Sequence, residues 1–136
     1  MTPEQIAIVK SSFEKVEPIA EAAAGLFYGR LFEIAPEVKP LFADSDMDTQ
    51  GHKLMTMIGI AVRGLDKLEA IVPAVKDLGK RHVGYGVKEE HFAPVGSALL
   101  WTLEQGLGEH WNAEAEQAWA TVYGVLADTM IAGMNE

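Results

Sequence analysis

The sequence predicts an all-α protein of six to seven helices. Apolar residues recur at intervals of three and four along most of the chain, which is the spacing of one helix face. No segment alternates apolar and polar residues with β-branched enrichment, as a half-buried strand would. Capping residues, prolines and glycines punctuate the periodic segments where helices should start and stop.

The first helix opens at Thr2-Pro3-Glu4-Gln5: a hydroxyl cap, Pro at the first helical position, and Gln three after the cap. Ile6, Val9, Phe13 and Val16 supply its apolar face. Pro18 breaks that run, and a second helix extends to about Ile34 through Ile19, Ala23, Leu26, Phe27 and Leu31. Its Ala22-Ala-Ala-Gly25 patch allows another helix to approach closely, and Tyr28 lies one turn beyond Ala24. Pro36 opens a short turn ending in Leu41-Phe42. A polar loop follows from Ala43 to Asp48, where Asp48 is expected to cap a third helix. That helix runs through Gln50, Leu54, Ile58, Ala61, Val62 and Leu65, with Gly51 the expected contact point opposite Ala24.

Asp66-Lys-Leu-Glu69 reads as the cap of a fourth helix, with Pro73 early in it. Val75, Leu78 and His82 share one face of that helix, and Gly84 and Gly86 are its stop signals. Glu89 and Glu90 suit the first turn of a fifth helix, whose apolar face is Phe92, Val95, Leu99, Leu103 and Leu107. Pro94 makes its start irregular, and Gly106 and Gly108 end it. Asn112 caps the last helix, along which Trp119, Val122, Tyr123, Leu126 and Met130 are periodic.

The 136 residues are expected to form a single domain, 1–136, large enough for a real core. The absence of cysteine excludes disulfides, thiolate zinc sites and iron–sulfur clusters. A formal net charge of −9 argues against nucleic-acid binding. The longest apolar run, Leu54 to Val62, is too short to span a membrane, and the N-terminus lacks an export signal. A cytoplasmic protein with small-molecule partners is expected.

Hydrolase, nucleotide-binding and Rossmann motifs are absent. His52, His82, His91 and His110 include no pair at i, i+4, so a two-His metal site on one helix is not indicated. Met55, Met57, Trp101, Trp111 and Trp119 read as packing residues, and His52 as a surface residue. His82 has two readings: a half-buried core histidine, or a single imidazole ligand to a haem iron. The second needs an apolar slot, an aromatic wedge and a facing helix. Phe42 can supply the wedge, Tyr28 a phenol donor, and Gln50 and Leu54 one polar and one apolar group a helical turn apart.

Taken together, these segments resemble the bacterial single-domain globins, including Vitreoscilla-type haemoglobin, and the haem domain of flavohaemoglobins. The likeness is carried by Leu26-Phe-Tyr-Gly-Arg-Leu-Phe32, Pro36 with Leu41-Phe42, Gln50-Gly-His-Lys-Leu54, Leu78-Gly-Lys-Arg-His82 with Gly86-Val87, and Ala118-Trp-Ala-Thr-Val-Tyr-Gly124. It implies a globin fold, three helices over three, around one haem b (iron protoporphyrin IX). By position, His82 matches the proximal iron ligand, and Tyr28, Gln50 and Leu54 the distal residues. Phe42 matches the phenylalanine against the porphyrin, and Leu78, Val87, Phe92 and Val95 the proximal and lateral walls. Lys53 and Arg81 are either propionate partners or solvated surface charges.

The resemblance further implies reversible binding of O₂, and of NO and CO, with high O₂ affinity from distal hydrogen bonds. The alternative is nitric-oxide dioxygenation with an external reductase. Two departures bear on that chemistry. Phe92 and Met134 stand where flavohaemoglobins place a tyrosine and a glutamate that hydrogen-bond with the proximal His. The imidazole's partner is then expected to be a backbone carbonyl or to be weak. No flavin or nicotinamide domain is present in these 136 residues.

Overall fold

The computed structural model describes residues 1–43 and 45–136. Asp44, part of the expected polar loop, lies outside the described residues. The remainder is all-α, with six α-helices: α1 (Pro3–Val16), α2 (Ala20–Ile34), α3 (Met47–Arg63), α4 (Leu68–Gly84), α5 (Phe92–Leu107) and α6 (Ala113–Met134). Short 3₁₀ turns join them at Glu17–Ile19, Pro36–Phe42, Leu65–Lys67, Glu89–His91 and Gly108–His110. Among the described residues, no helix is long and apolar enough to cross a membrane.

Local chemistry sets most boundaries. Thr2 Oγ1 accepts the Gln5 backbone N–H at 3.1 Å while Gln5 Oε1 accepts the Thr2 N–H at 3.0 Å, so two otherwise unpaired donors at the start of α1 satisfy each other. Pro18 turns the chain within Glu17–Ile19 before α2 begins. Asn112 Oδ1 accepts the Ala115 N–H at 2.8 Å and starts α6.

Several sequence expectations shift. Asp46, not Asp48, caps α3: its carboxylate accepts the Asp48 N–H and the Thr49 hydroxyl, each at 3.1 Å. Helix α3 ends at Arg63, leaving Leu65 in the following turn. Asp66 does not cap α4; its carboxylate pairs with Lys10 on α1, and α4 begins without a side-chain cap. Gly84 remains helical, and the reversal falls at Gly86, whose φ of +88° only glycine adopts readily. Gly106 likewise stays inside α5, and Gly108, at φ +53°, ends it. Leu26 and Ile34 are 42 % and 40 % exposed, because α2 buries the face that carries Ala23, Ala24, Phe27, Tyr28 and Leu31 instead. A Cβ on Gly51 would come within 2.9 Å of the Ala24 Cβ, so α3 crosses α2 at the expected pair and Leu26 and Ile34 rotate outward. Met57 is exposed, whereas Met55 packs on the core.

The core has two parts. Val9, Phe13, Val16, Val62, Leu103, Trp119 and Val122 fill the space around α1 and α6. Phe27, Tyr28, Leu31, Ala35, Val38 and Ala98 form a second cluster between α2 and α5. One buried polar contact crosses the first: Trp119 Nε1 donates to Ser12 Oγ at 2.8 Å, and Ser12 Oγ donates to the Ile8 carbonyl at 2.7 Å. Trp119→Phe leaves that oxygen buried without its donor, and should cost about 1–3 kcal/mol before any cavity penalty. Urea unfolding measures the loss. Adding Ser12→Ala should return part of it, because both polar partners are then gone.

Candidate functional site

The turn after α4 approaches the second cluster through Gly86 and Leu41. Helix α4 packs along α6, while α2 packs on α3 and α5. Among the described residues, α4 makes no comparably close packing with α3 or α5. Leu54 and Ile58 on α3, Val95 on α5, and Val75, Leu78 and His82 on α4 are half-buried, Leu54 and Val95 against the second cluster and Ile58 against the first. In the turn before α3, Leu41 Cδ2 lies 3.1 Å from the position a Cβ on Gly86 would take.

His82 stands two residues before the end of α4. Its Nδ1 is 2.7 Å from the Leu78 carbonyl oxygen one turn earlier. A carbonyl can only accept, so Nδ1 carries the proton, and the tautomer compatible with this bond has its lone pair on Nε2. The exposed Tyr85 ring meets the imidazole edge-on at 5.7 Å. Val87, also half-buried, is tied to the same turn by its N–H on the His82 carbonyl at 3.0 Å.

Tyr28 is buried on α2, with its ring edge-on to Phe27 at 5.0 Å and to Phe42 at 5.4 Å. Burial pushes the Tyr28 phenol above its ordinary value, and a side-chain hydrogen bond with Gln50 draws it partly back. Phe42, Leu54 and Val95 all pack on the cluster that contains Tyr28. Five of the expected residues, Tyr28, Phe42, Gln50, Leu54 and Val95, are thus gathered on one side, with Leu78 and His82 on α4.

Phe92 is half-buried at the start of α5, and its carbonyl accepts the Tyr123 hydroxyl at 2.7 Å. Burial pushes the Tyr123 phenol far above its usual value, so it remains a donor. The Tyr123 ring packs against Gly96, where a Cβ would lie 2.7 Å from Cε2. Lys53 is exposed, and Arg81 pairs with Asp77 at 2.9 Å on the exposed side of α4. His52 is exposed, as expected of a surface residue. The His91 Nδ1 accepts the Lys88 N–H at 3.0 Å.

Among the described residues, no group of three or more His, Cys, Asp or Glu could hold a bare metal ion. A concavity of about 660 Å³ lined by Lys88, Glu89 and Glu90 is open to solvent. Sequence reasoning missed the Tyr123–Phe92 bond and the tight contacts of Gly79 and Gly133 between α4 and α6. The available signal was a glycine set inside an otherwise periodic helix.

The globin family pattern matches residues 25–130. Flavohaemoproteins of Bacillus subtilis and Deinococcus radiodurans are each 34% identical, over 93% and 96% of this chain and 32% and 33% of their own length. The chain therefore spans about a third of these relatives. A bacterial globin from Campylobacter jejuni is similar in structure, with a TM-score of 0.87 and 30% identity over 98% of this chain and 96% of that one. A hexacoordinated haem protein from an anhydrobiotic tardigrade shares the fold, with a TM-score of 0.90 at 17% identity over 100% and 96% of the two chains. With sequence and fold in agreement, the protein belongs to the globin family, haem proteins that bind diatomic ligands.

Proposed function

We propose that this chain, as a single cytoplasmic domain, holds haem b between α4 and the α3–α5 side, with His82 as the protein ligand to iron, and binds O₂ reversibly and tightly. The observation that carries the reading is the His82 Nδ1–H donated to the Leu78 carbonyl at 2.7 Å. That bond fixes the tautomer and leaves Nε2 as a metal donor at the wall of an apolar slot. A lone imidazole cannot retain a bare ion, but it suits an iron that arrives with four nitrogen donors of its own. When bound, the iron porphyrin supplies reversible coordination of O₂, NO or CO.

The chain's own residues do the rest. Phe42, Leu54, Leu78, Val87, Phe92 and Val95 form apolar walls that exclude water and favour a flat hydrophobic ring. Tyr28 keeps its hydroxyl proton because burial disfavours the phenolate, so it serves as a hydrogen-bond donor. Gln50 orients that phenol. Lys53 and Arg81 are the cations available to the propionates, Arg81 by exchanging its Asp77 partner. An external reductase would keep a bound iron ferrous.

Absorption spectra of the purified, reduced protein with and without O₂ and CO test the reading. A Soret band that shifts reversibly with each gas is expected. A protein that folds but takes up no haem on reconstitution would overturn it.

A further inference from the structure

Helix α4 owes its place to one neighbour. It packs along α6 and lacks comparable packing on α3 or α5, among the described residues. At the crossing, backbone meets backbone. A Cβ on Gly79 would stand 2.1 Å from the Met130 carbonyl oxygen, and a Cβ on Gly133 2.1 Å from the Lys76 carbonyl oxygen. Both distances lie far inside van der Waals contact, and the atoms met are backbone, which cannot swing aside as a side chain would. The pairing is reciprocal and antiparallel: positions 76 and 79 of α4 meet 133 and 130 of α6. Just beyond it, Lys76 and Lys80 hold the Glu136 carboxylate at 3.3 and 3.4 Å. Gly79 adjoins Leu78, whose carbonyl fixes the His82 ring. Any shift of α4 at this crossing carries both the imidazole and the carbonyl that orients it.

We propose that Gly79 and Gly133, with the Glu136 clasp, are positioning residues for His82: α6 sets where the imidazole stands, by allowing no side chain between the two helices. The inference rests on His82 being the iron ligand. It assigns a task to the end of α6. Gly79 and His82 stand three residues apart on α4, so the crossing lies within one turn of the imidazole.

The test uses the haem-loaded protein and reads the iron–histidine stretching band of its reduced, ligand-free form by resonance Raman spectroscopy. Gly133→Ala must push the helices apart, so the band should shift and broaden and haem loss should accelerate. Gly51→Ala is the control, since it strains the α2–α3 crossing instead; it should lower stability and leave the band in place. If Gly133→Ala fails to fold, Glu136→Gln opens the clasp without a steric clash and should shift the band the same way by less. A band unchanged in the folded variant, or moved equally by Gly51→Ala, overturns the positioning role. Absence of any iron–histidine band in the wild type would instead overturn the ligand assignment.

Discussion

Tyr28→Phe should release O₂ roughly 10- to 150-fold faster than the wild type. A hydrogen bond to an acceptor that gathers negative charge contributes about 1.5–3 kcal/mol, and each 1.4 kcal/mol is about tenfold in affinity. Such losses usually appear in the dissociation rate. The donor is well held: the ring is wedged against Phe27 and Phe42, and Gln50 lies near enough to draw the phenol partly back from the rise that burial causes. Phe preserves that wedge, so the substitution removes the donor and little else. Burial raises the phenol pKa, so the donor survives through neutral pH. The raised value also makes the Tyr28 contribution to folding complete below the unfolded value near 10, fading only as pH rises through the folded value. CO gathers less charge than O₂, so its release should change much less. Stopped-flow displacement of O₂ by CO measures the ratio, and an unchanged O₂ off-rate would remove Tyr28 from the ligand-binding role.

How much of this was legible in the chain depended on whether a feature was local. The capping box at Thr2 and Gln5 could be read because its whole chemistry lies within four residues. The cap of α3 was misplaced because Asp46 and Asp48 are both competent, and only the backbone decides: Asp46 takes the extended conformation a cap needs, at φ −76° and ψ 111°. Gly84 and Gly86 posed the same ambiguity, settled by the positive φ of Gly86. On α2, periodicity placed Ala23, Leu26, Phe27, Leu31 and Ile34 together, yet Leu26 and Ile34 are exposed while Ala24 and Tyr28 share the buried face with Ala23, Phe27 and Leu31, because Gly51 of α3 crosses at Ala24. The face of His82 was readable from spacing and its Leu78 bond was anticipated only as a class, a backbone carbonyl. Nothing local reveals that Gly79 meets Met130, fifty-one residues away. Partners of that kind follow from the packing of whole helices.

The largest effect should follow His82→Gly. Removing a partner that merely orients a metal ligand already costs roughly 10- to 100-fold in metal affinity, so deleting the ligand itself should exceed that range. The substitution sits near the end of α4, where Gly in place of a residue of middling helix propensity costs well under about 1 kcal/mol. Circular dichroism should therefore show the fold retained while haem is lost rapidly to a scavenger such as apomyoglobin. Because Leu78 keeps its carbonyl, the space left by the ring retains an acceptor for an imidazole N–H. Free imidazole in solution should consequently restore haem retention and CO binding, with affinity that rises with pH as the neutral ring becomes available. Glycine at 82 with His52→Ala removes the one histidine on α3, and should behave as the single variant does, since His52 is exposed. Undiminished haem uptake and CO binding in that double variant would place the iron ligand elsewhere in the chain.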